Sequence, residues 1–91
     1  MRIRWTPAAA DDLAQISEYL GEHYPSYRQA TMRKPFHTIR SLKDSPNRGR
    51  AGHEPGTREL LFPPLPDIAV YRIKDETIQV LRIDHAAQDR S

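Results

Sequence analysis

The segment IAVYRIKDETIQVLRI, residues 68–83, decides the fold. Two runs rich in β-branched and aromatic residues, Ile68–Ile73 and Thr77–Ile83, flank the dipeptide Asp75-Glu76. Runs of that composition read as strands, and a short polar gap between them reads as a hairpin turn. With Asp75 and Glu76 as a two-residue turn, Lys74 faces Thr77, Ile73 faces Ile78 and Tyr71 faces Val80. One face of the hairpin then carries Ile68, Val70, Leu81 and Ile83, and the other Tyr71, Ile73, Ile78 and Val80. Both faces are apolar, whereas a half-exposed antiparallel sheet normally alternates apolar with polar. The second face is therefore wrapped by the rest of the chain or forms a groove for a partner.

Upstream of the hairpin, Pro63, Pro64 and Pro66 stop a shorter strand, Thr57–Phe62. Asp44–Gly56 contains Pro46, Gly49, Gly52, Pro55 and Gly56 without periodicity and reads as a long loop. At the N-terminus, Met1–Trp5 alternates, with Ile3 and Trp5 on one face and Arg2 and Arg4 on the other. Thr6 reads as an N-cap with Pro7 at the first helical position, and Asp11 and Asp12 suit the positive end of the helix dipole. Ala9, Leu13, Ile16 and Leu20 form the apolar stripe, and Gly21 and Pro25 end or weaken the helix. A second helix over 25–43 has Tyr27, Ala30, Phe36, Ile39 and Leu42 as its stripe. Pro35 lies inside it, removes the bond to the Thr31 carbonyl and predicts a kink or a break near Arg33 and Lys34. Asp84–Ser91 is a short polar tail. The order is β-α-α-β-β-β: an α+β fold with an N-terminal helical hairpin packed on a small, mainly antiparallel sheet.

Ninety-one residues allow one domain, spanning 1–91. The longest apolar run is Ile68–Tyr71, far short of the ~20 residues that span a bilayer. Charge and Pro7 interrupt the opening residues, so no signal peptide is expected. The absence of cysteine excludes disulfides, thiolate metal sites and cysteine nucleophiles. His23, His37, His53 and His85 lack metal-binding spacing, and no nucleotide loop or nucleophile elbow occurs, so no cofactor or metal is expected. The net charge is +2, and its distribution is uneven. Between Arg28 and Arg50 the chain has many Lys and Arg and a single acid, Asp44, which fits nucleic-acid contact without demanding it.

The ordered set Trp5…Ala9…Asp12-Leu13…Ile16…Tyr19, Leu42…Pro46…Gly49-Arg50, Gly56-Thr57-Arg58-Glu59-Leu60 and Val70-Tyr71-Arg72-Ile73…Val80-Leu81-Arg82-Ile83…His85-Ala86-Ala87-Gln88 resembles the RelE/ParE family of toxins from bacterial type II toxin–antitoxin systems. It is most similar to the ParE, or plasmid-stabilisation, branch, over roughly residues 3–89. The resemblance implies a cytoplasmic toxin that causes growth arrest and is neutralised by a cognate antitoxin. That antitoxin is expected to be ParD-like, with a ribbon-helix-helix fold, and to wrap the toxin in a hetero-oligomer. DNA gyrase is the implied target, DNA is met only indirectly through the antitoxin, and no membrane is involved. The alternatives are a ribosome-dependent mRNA endoribonuclease of the RelE type, or a non-toxic co-repressor of the antitoxin.

RNA cleavage by 2′-hydroxyl attack needs groups that move protons and cations that stabilise the phosphorane. RelE-like members place an Arg and a Tyr after the last strand; here Asp84-His85-Ala86-Ala87-Gln88 follows Ile83, with no tyrosine. No catalytic residue is therefore assigned. Glu54 or Glu59 with Arg58 and His85 would imitate a histidine-based variant. The candidates for contact with target or antitoxin are Arg58, Glu59, Arg72, Arg82 and His85. All but Arg72 have a structural alternative. Arg58 and Glu59 suit a cross-strand ion pair or a solvated face, Arg82 can lie along the sheet with its head in water, and His85 can cap or hydrogen-bond the end of the last strand. Trp5 reads as core, and Tyr19, Tyr24 and Tyr27 as packing or as anchors for a partner.

Overall fold

The computed structural model describes residues 1–61 and 67–85. In chain order the elements are β1 (Arg2–Trp5), α1 (Pro7–His23), α2 (Arg28–Arg40), β2 (Arg50–Ala51), β3 (Arg58–Leu61), β4 (Asp67–Lys74) and β5 (Thr77–His85). They build one sheet of order β1-β5-β4-β3-β2, with both helices on one face. β1 runs parallel to β5, and every other pairing is antiparallel. The α+β architecture matches the expectation, with one addition. The segment read as a loop contains the two-residue strand β2, which pairs with Glu59 and Arg58. Phe62, the proline segment and the tail beyond His85 lie outside the described residues.

The hairpin keeps its expected register from Lys74↔Thr77 to Tyr71↔Val80. Asp75 and Glu76 make the turn with φ of 53° and 57°, the left-handed values that a two-residue hairpin requires at both central positions. Beyond Tyr71 the register slips: Val70 faces Arg82, so Leu81 has no counterpart in β4. This β-bulge corrects the expectation for Ile83. One extra residue shifts the alternation, and Ile83 joins Ala69, Tyr71, Ile78 and Val80 in the core under the helices. Asp84 and His85, read as tail, extend the strand.

In α1, Ala9, Leu13 and Leu20 are buried and Ile16 packs against the core, as the spacing predicts. Thr6 caps the helix: its Oγ1 accepts from the Ala9 N–H at 3.2 Å. The dipole reading of Asp11 and Asp12 does not hold, because neither lies in the first turn. Nor does Gly21 end the helix, which continues to His23. Without a side chain, Gly21 leaves room for Arg28, whose guanidinium reaches Ser17 Oγ at 3.0 and 3.1 Å and ties the two helices together.

The second helix is shorter than expected, and it is continuous through Pro35. Pro35 is fully buried, and the apolar surface it removes from water offsets the one hydrogen bond it removes. Residues 41–43 continue as a 3₁₀ turn carrying buried Leu42. The stripe is also corrected. Ile39 and Leu42 are buried, but Tyr27 and Phe36 are exposed, Phe36 at 53%. Phe36 still touches Trp5, with ring centroids 5.9 Å apart.

Two polar attachments fix the sheet to its surroundings. The buried Tyr71 hydroxyl accepts from the Gly49 N–H at 2.9 Å and donates to the Pro46 carbonyl at 2.8 Å, which holds the segment leading into β2. At the other side β1 stops at Trp5, and α1 takes over the outer edge of β5. Thr6 Oγ1 lies 3.0 Å from the carbonyls of both Val80 and Leu81. Asp12 Oδ2 accepts from the Ile83 N–H at 2.9 Å and from Arg82 Nε at 2.8 Å.

Tyr71→Phe leaves the Gly49 N–H and the Pro46 carbonyl without that partner and should cost about 1–3 kcal/mol in chemical denaturation. Gly49→Ala should cost at least as much, because a Cβ there would sit 2.7 Å from the Tyr71 hydroxyl and 2.9 Å from the Glu59 carbonyl. Asp12→Ala should destabilise by about 1–3 kcal/mol through the Ile83 N–H it abandons. Arg82→Ala, with its side chain 57% exposed, should cost only about 0–1 kcal/mol. Equal losses for Asp12→Ala and Arg82→Ala would contradict that division.

Candidate functional site

Adjacent residues on a strand point to opposite faces, and this separates the sequence-derived candidates. Arg58 stands opposite Tyr71 on the helix side of the sheet. Its guanidinium donates to the carbonyls of Asn47 at 3.1 Å and Gly49 at 2.8 Å, so it works with Tyr71 in holding the β2 segment. Glu59, the next residue, faces the other way, opposite Val70 and Arg50. It is 6% exposed and paired with Arg50 at 3.3 Å. The cross-strand pair therefore joins Glu59 to Arg50, not to Arg58.

Arg50, Glu59, Leu61 and Ile68 line an open cleft of about 260 Å³, with Arg48 at its margin. Arg48 is tethered by a 2.7 Å bond to Ser41 Oγ. Arg50 pairs with the buried Glu59 carboxylate, and Arg50 and Arg48 together give the cleft a cationic rim for an approaching anion. Glu54, the other carboxylate considered, lies exposed in the loop, where its carbonyl accepts from Thr57.

Arg72 is exposed on the helix-free side of β4, and its Nε donates to Gln79 Oε1 on β5 at 2.6 Å. Arg82 sits in the bulge and grips Asp12 with two bonds, 2.8 and 3.2 Å. The Asp12 hydrogen bond, and then its charge, raise the Arg82 pKa above the ordinary arginine value. Arg82 is thus a partnered cation at physiological pH. His85 closes β5 opposite Asp67, and its side chain lies outside the described residues.

The candidates therefore spread across three strands and both faces. Four contributing residues are not singled out by the sequence. Asp12 has no signal beyond helical position, because its partners come from a strand 70 residues away. Arg50 was hidden by the loop reading. Arg2 and Arg4 were legible as one face of β1, but not as neighbours of Arg72. Of the tyrosines, Tyr71 is fully buried with its hydroxyl engaged, and Tyr19, Tyr24 and Tyr27 sit at the helical hairpin, away from the sheet. Among the described residues no cluster of His, Asp or Glu could hold a metal ion, and no helix is long and apolar enough to cross a membrane.

The helical hairpin offers a different surface. Phe36, Met32, Arg28, Arg33 and Ser17 line an open groove of about 470 Å³, and Tyr19, Tyr24 and Tyr27 are exposed nearby. Large exposed aromatics beside arginines are the side chains that most often anchor protein partners.

Comparison with known proteins agrees with this architecture. The chain is similar to the toxin RelE2 of Caulobacter vibrioides, 32% identical over 87 residues that cover 96% of this chain and 97% of that protein. Its structure is similar to the chromosomal ParDE toxin–antitoxin system from P. aeruginosa, with TM-score 0.86 and 31% identity over 93% of this chain and 95% of that one. It is also similar to the RelBE2 toxin–antitoxin complex from Mycobacterium tuberculosis, with TM-score 0.58 and 27% identity over 92% and 95% of the two chains. The pattern described as "ParE toxin of type II toxin-antitoxin system, parDE" matches residues 3–90, nearly the whole sequence. The chain belongs to the ParE toxin family of type II toxin–antitoxin systems.

Proposed function

We propose that this chain arrests its own cell by binding and inhibiting DNA gyrase, in the manner of the ParE branch, and does not cut RNA. The single observation that carries the choice is the separation of Arg58 from Glu59. The carboxylate lies in a pair with Arg50 on one face, and the arginine holds loop carbonyls on the other. Phosphoryl chemistry needs a proton-moving group and a cation aimed at the same phosphate, and these two residues do not share one. The greater likeness to the ParDE structure than to the RelBE2 structure supports the same branch.

In this reading a cognate antitoxin of the ParD, ribbon-helix-helix type neutralises the toxin in the cytoplasm and stabilises its carrier plasmid or chromosome segment. The exposed aromatic groove of the helical hairpin is suited to receive it. Arg72 is the sequence-derived candidate best placed for target contact. Arg82 would have to exchange Asp12 for an acidic partner group, and Arg58 and Glu59 would act by shaping the β2 segment. His85 completes the set as a contact at the end of β5.

Purified toxin should inhibit negative supercoiling by gyrase, the antitoxin should relieve that inhibition, and primer extension in induced cells should show no codon-linked cuts. Codon-dependent mRNA cleavage that disappears in His85→Ala would replace this reading with the nuclease. Intact growth and intact supercoiling would leave the co-repressor. The antitoxin should also raise the toxin's melting temperature progressively with concentration, a stabilisation of about 2.7 kcal/mol at 100 times Kd.

A further inference from the structure

The face of the sheet that the helices leave open carries an ordered cationic array. Registers across β1, β5 and β4 place Arg4, Gln79 and Arg72 in one row and Arg2, Thr77 and Lys74 in the next. The intervening Ile3, Trp5, Tyr71, Ile73, Ile78 and Val80 point into the core, so all six row members share the open face. Strand and residue spacings put the two cation columns about 10 Å apart and the cations within a column about 7 Å apart. All four basic residues are exposed, and among the described residues none is in an ion pair. The nearest acids are Asp75 and Glu76 in the turn beyond Lys74. Glu59 and Asp84 lie toward the other end of the same sheet.

Gln79 also organises the array. Its Oε1 holds Arg72 Nε at 2.6 Å, which aims the guanidinium and leaves both terminal nitrogens without a bond among the described residues. Two such donors on a rigid strand fit an anionic tetrahedral group as a fork. The residues between the cations are Thr77 and Gln79, both polar. No aromatic or large aliphatic side chain lies in the two rows to seat a peptide anchor or to stack on a base.

We propose that this open face, through Arg2, Arg4, Arg72 and Lys74, binds the phosphate backbone of a nucleic acid without reading its bases. Charge complementarity decides the occupant. Cations on a regular grid of these spacings match a regularly spaced polyanion, and two rows with neither stacking rings nor large apolar side chains give positioning contacts only. The inference goes beyond the gyrase reading, with which it shares Arg72, and the two fail separately because the test below contains no gyrase.

The test is fluorescence anisotropy of the full chain with a labelled DNA duplex of mixed sequence, over a salt series. Four phosphate contacts predict that affinity falls about 100-fold between roughly 50 and 200 mM salt. Either double variant, Arg2→Gln with Arg4→Gln or Arg72→Gln with Lys74→Gln, should reduce that fall to about 10-fold. Arg33→Gln with Lys34→Gln, which removes the same charge from α2, should keep the wild-type salt dependence. Arg2→Lys with Arg4→Lys should also keep it, and circular dichroism checks that each variant is folded. A loss in the α2 variant equal to that in the face variants would overturn the proposal. So would undiminished salt dependence in both face variants. Displacement of the duplex by polyglutamate at matched charge would assign the face to an acidic protein instead, and would also overturn it.

Discussion

Leu81 has no partner in β4, and much of the molecule follows from that one unpaired residue. A bulge increases local twist and re-aims the side chains beyond it. Here it turns Ile83 into the core, and Arg82 sits within it. Beyond the bulge β1 has ended, so the outer backbone of β5 needs other partners. Thr6 and Asp12 supply them from a helix. A buried strand edge without partners would cost several unsatisfied groups, so the helix and the bulge stabilise each other.

The other end of the sheet is organised by Tyr71. Its ring fills the core and its hydroxyl reaches the Pro46–Gly49 segment, with Arg58 closing on the carbonyls of the same stretch. A region without regular structure in the sequence thereby becomes an ordered arm, ending in β2. That arm brings Arg50 against Glu59 and creates the cationic cleft. The close approach of Gly49 to both Tyr71 and the β3 backbone explains why a side chain has no room there.

These two attachments sort the arginines by role. Arg28, Arg58 and Arg82 each hold two parts of the fold together. Arg2, Arg4 and Arg72 are exposed on a face that no described element covers. In a small ParE-family domain the helix side carries the core and the aromatic hairpin surface, and the open side carries exposed positive charge. Surface charge of one sign steers an anionic partner as well as holding it.

Local chemistry in the sequence was enough for the elements themselves. The Asp75-Glu76 turn, the Thr6 cap, the α1 stripe and the alternation of Met1–Trp5 are all effects between residues a few positions apart, and each appears in the structure. The family was legible for the same reason, because an ordered series of short patterns spans nearly the whole chain. The bulge was not legible, since it depends on how many residues β4 offers opposite β5 once α1 is docked. Pro35 likewise reads as a breaker locally, yet in the fold it is fully buried and the helix continues through it. The candidate site divides along the same line. Arg58, Glu59, Arg72 and Arg82 were visible as charged residues on strands, but their partners are Gly49, Arg50, Gln79 and Asp12. Sequence determines which side chains can form an ion pair or a fork. Tertiary structure decides which do, because only the folded register brings distant groups within hydrogen-bonding distance.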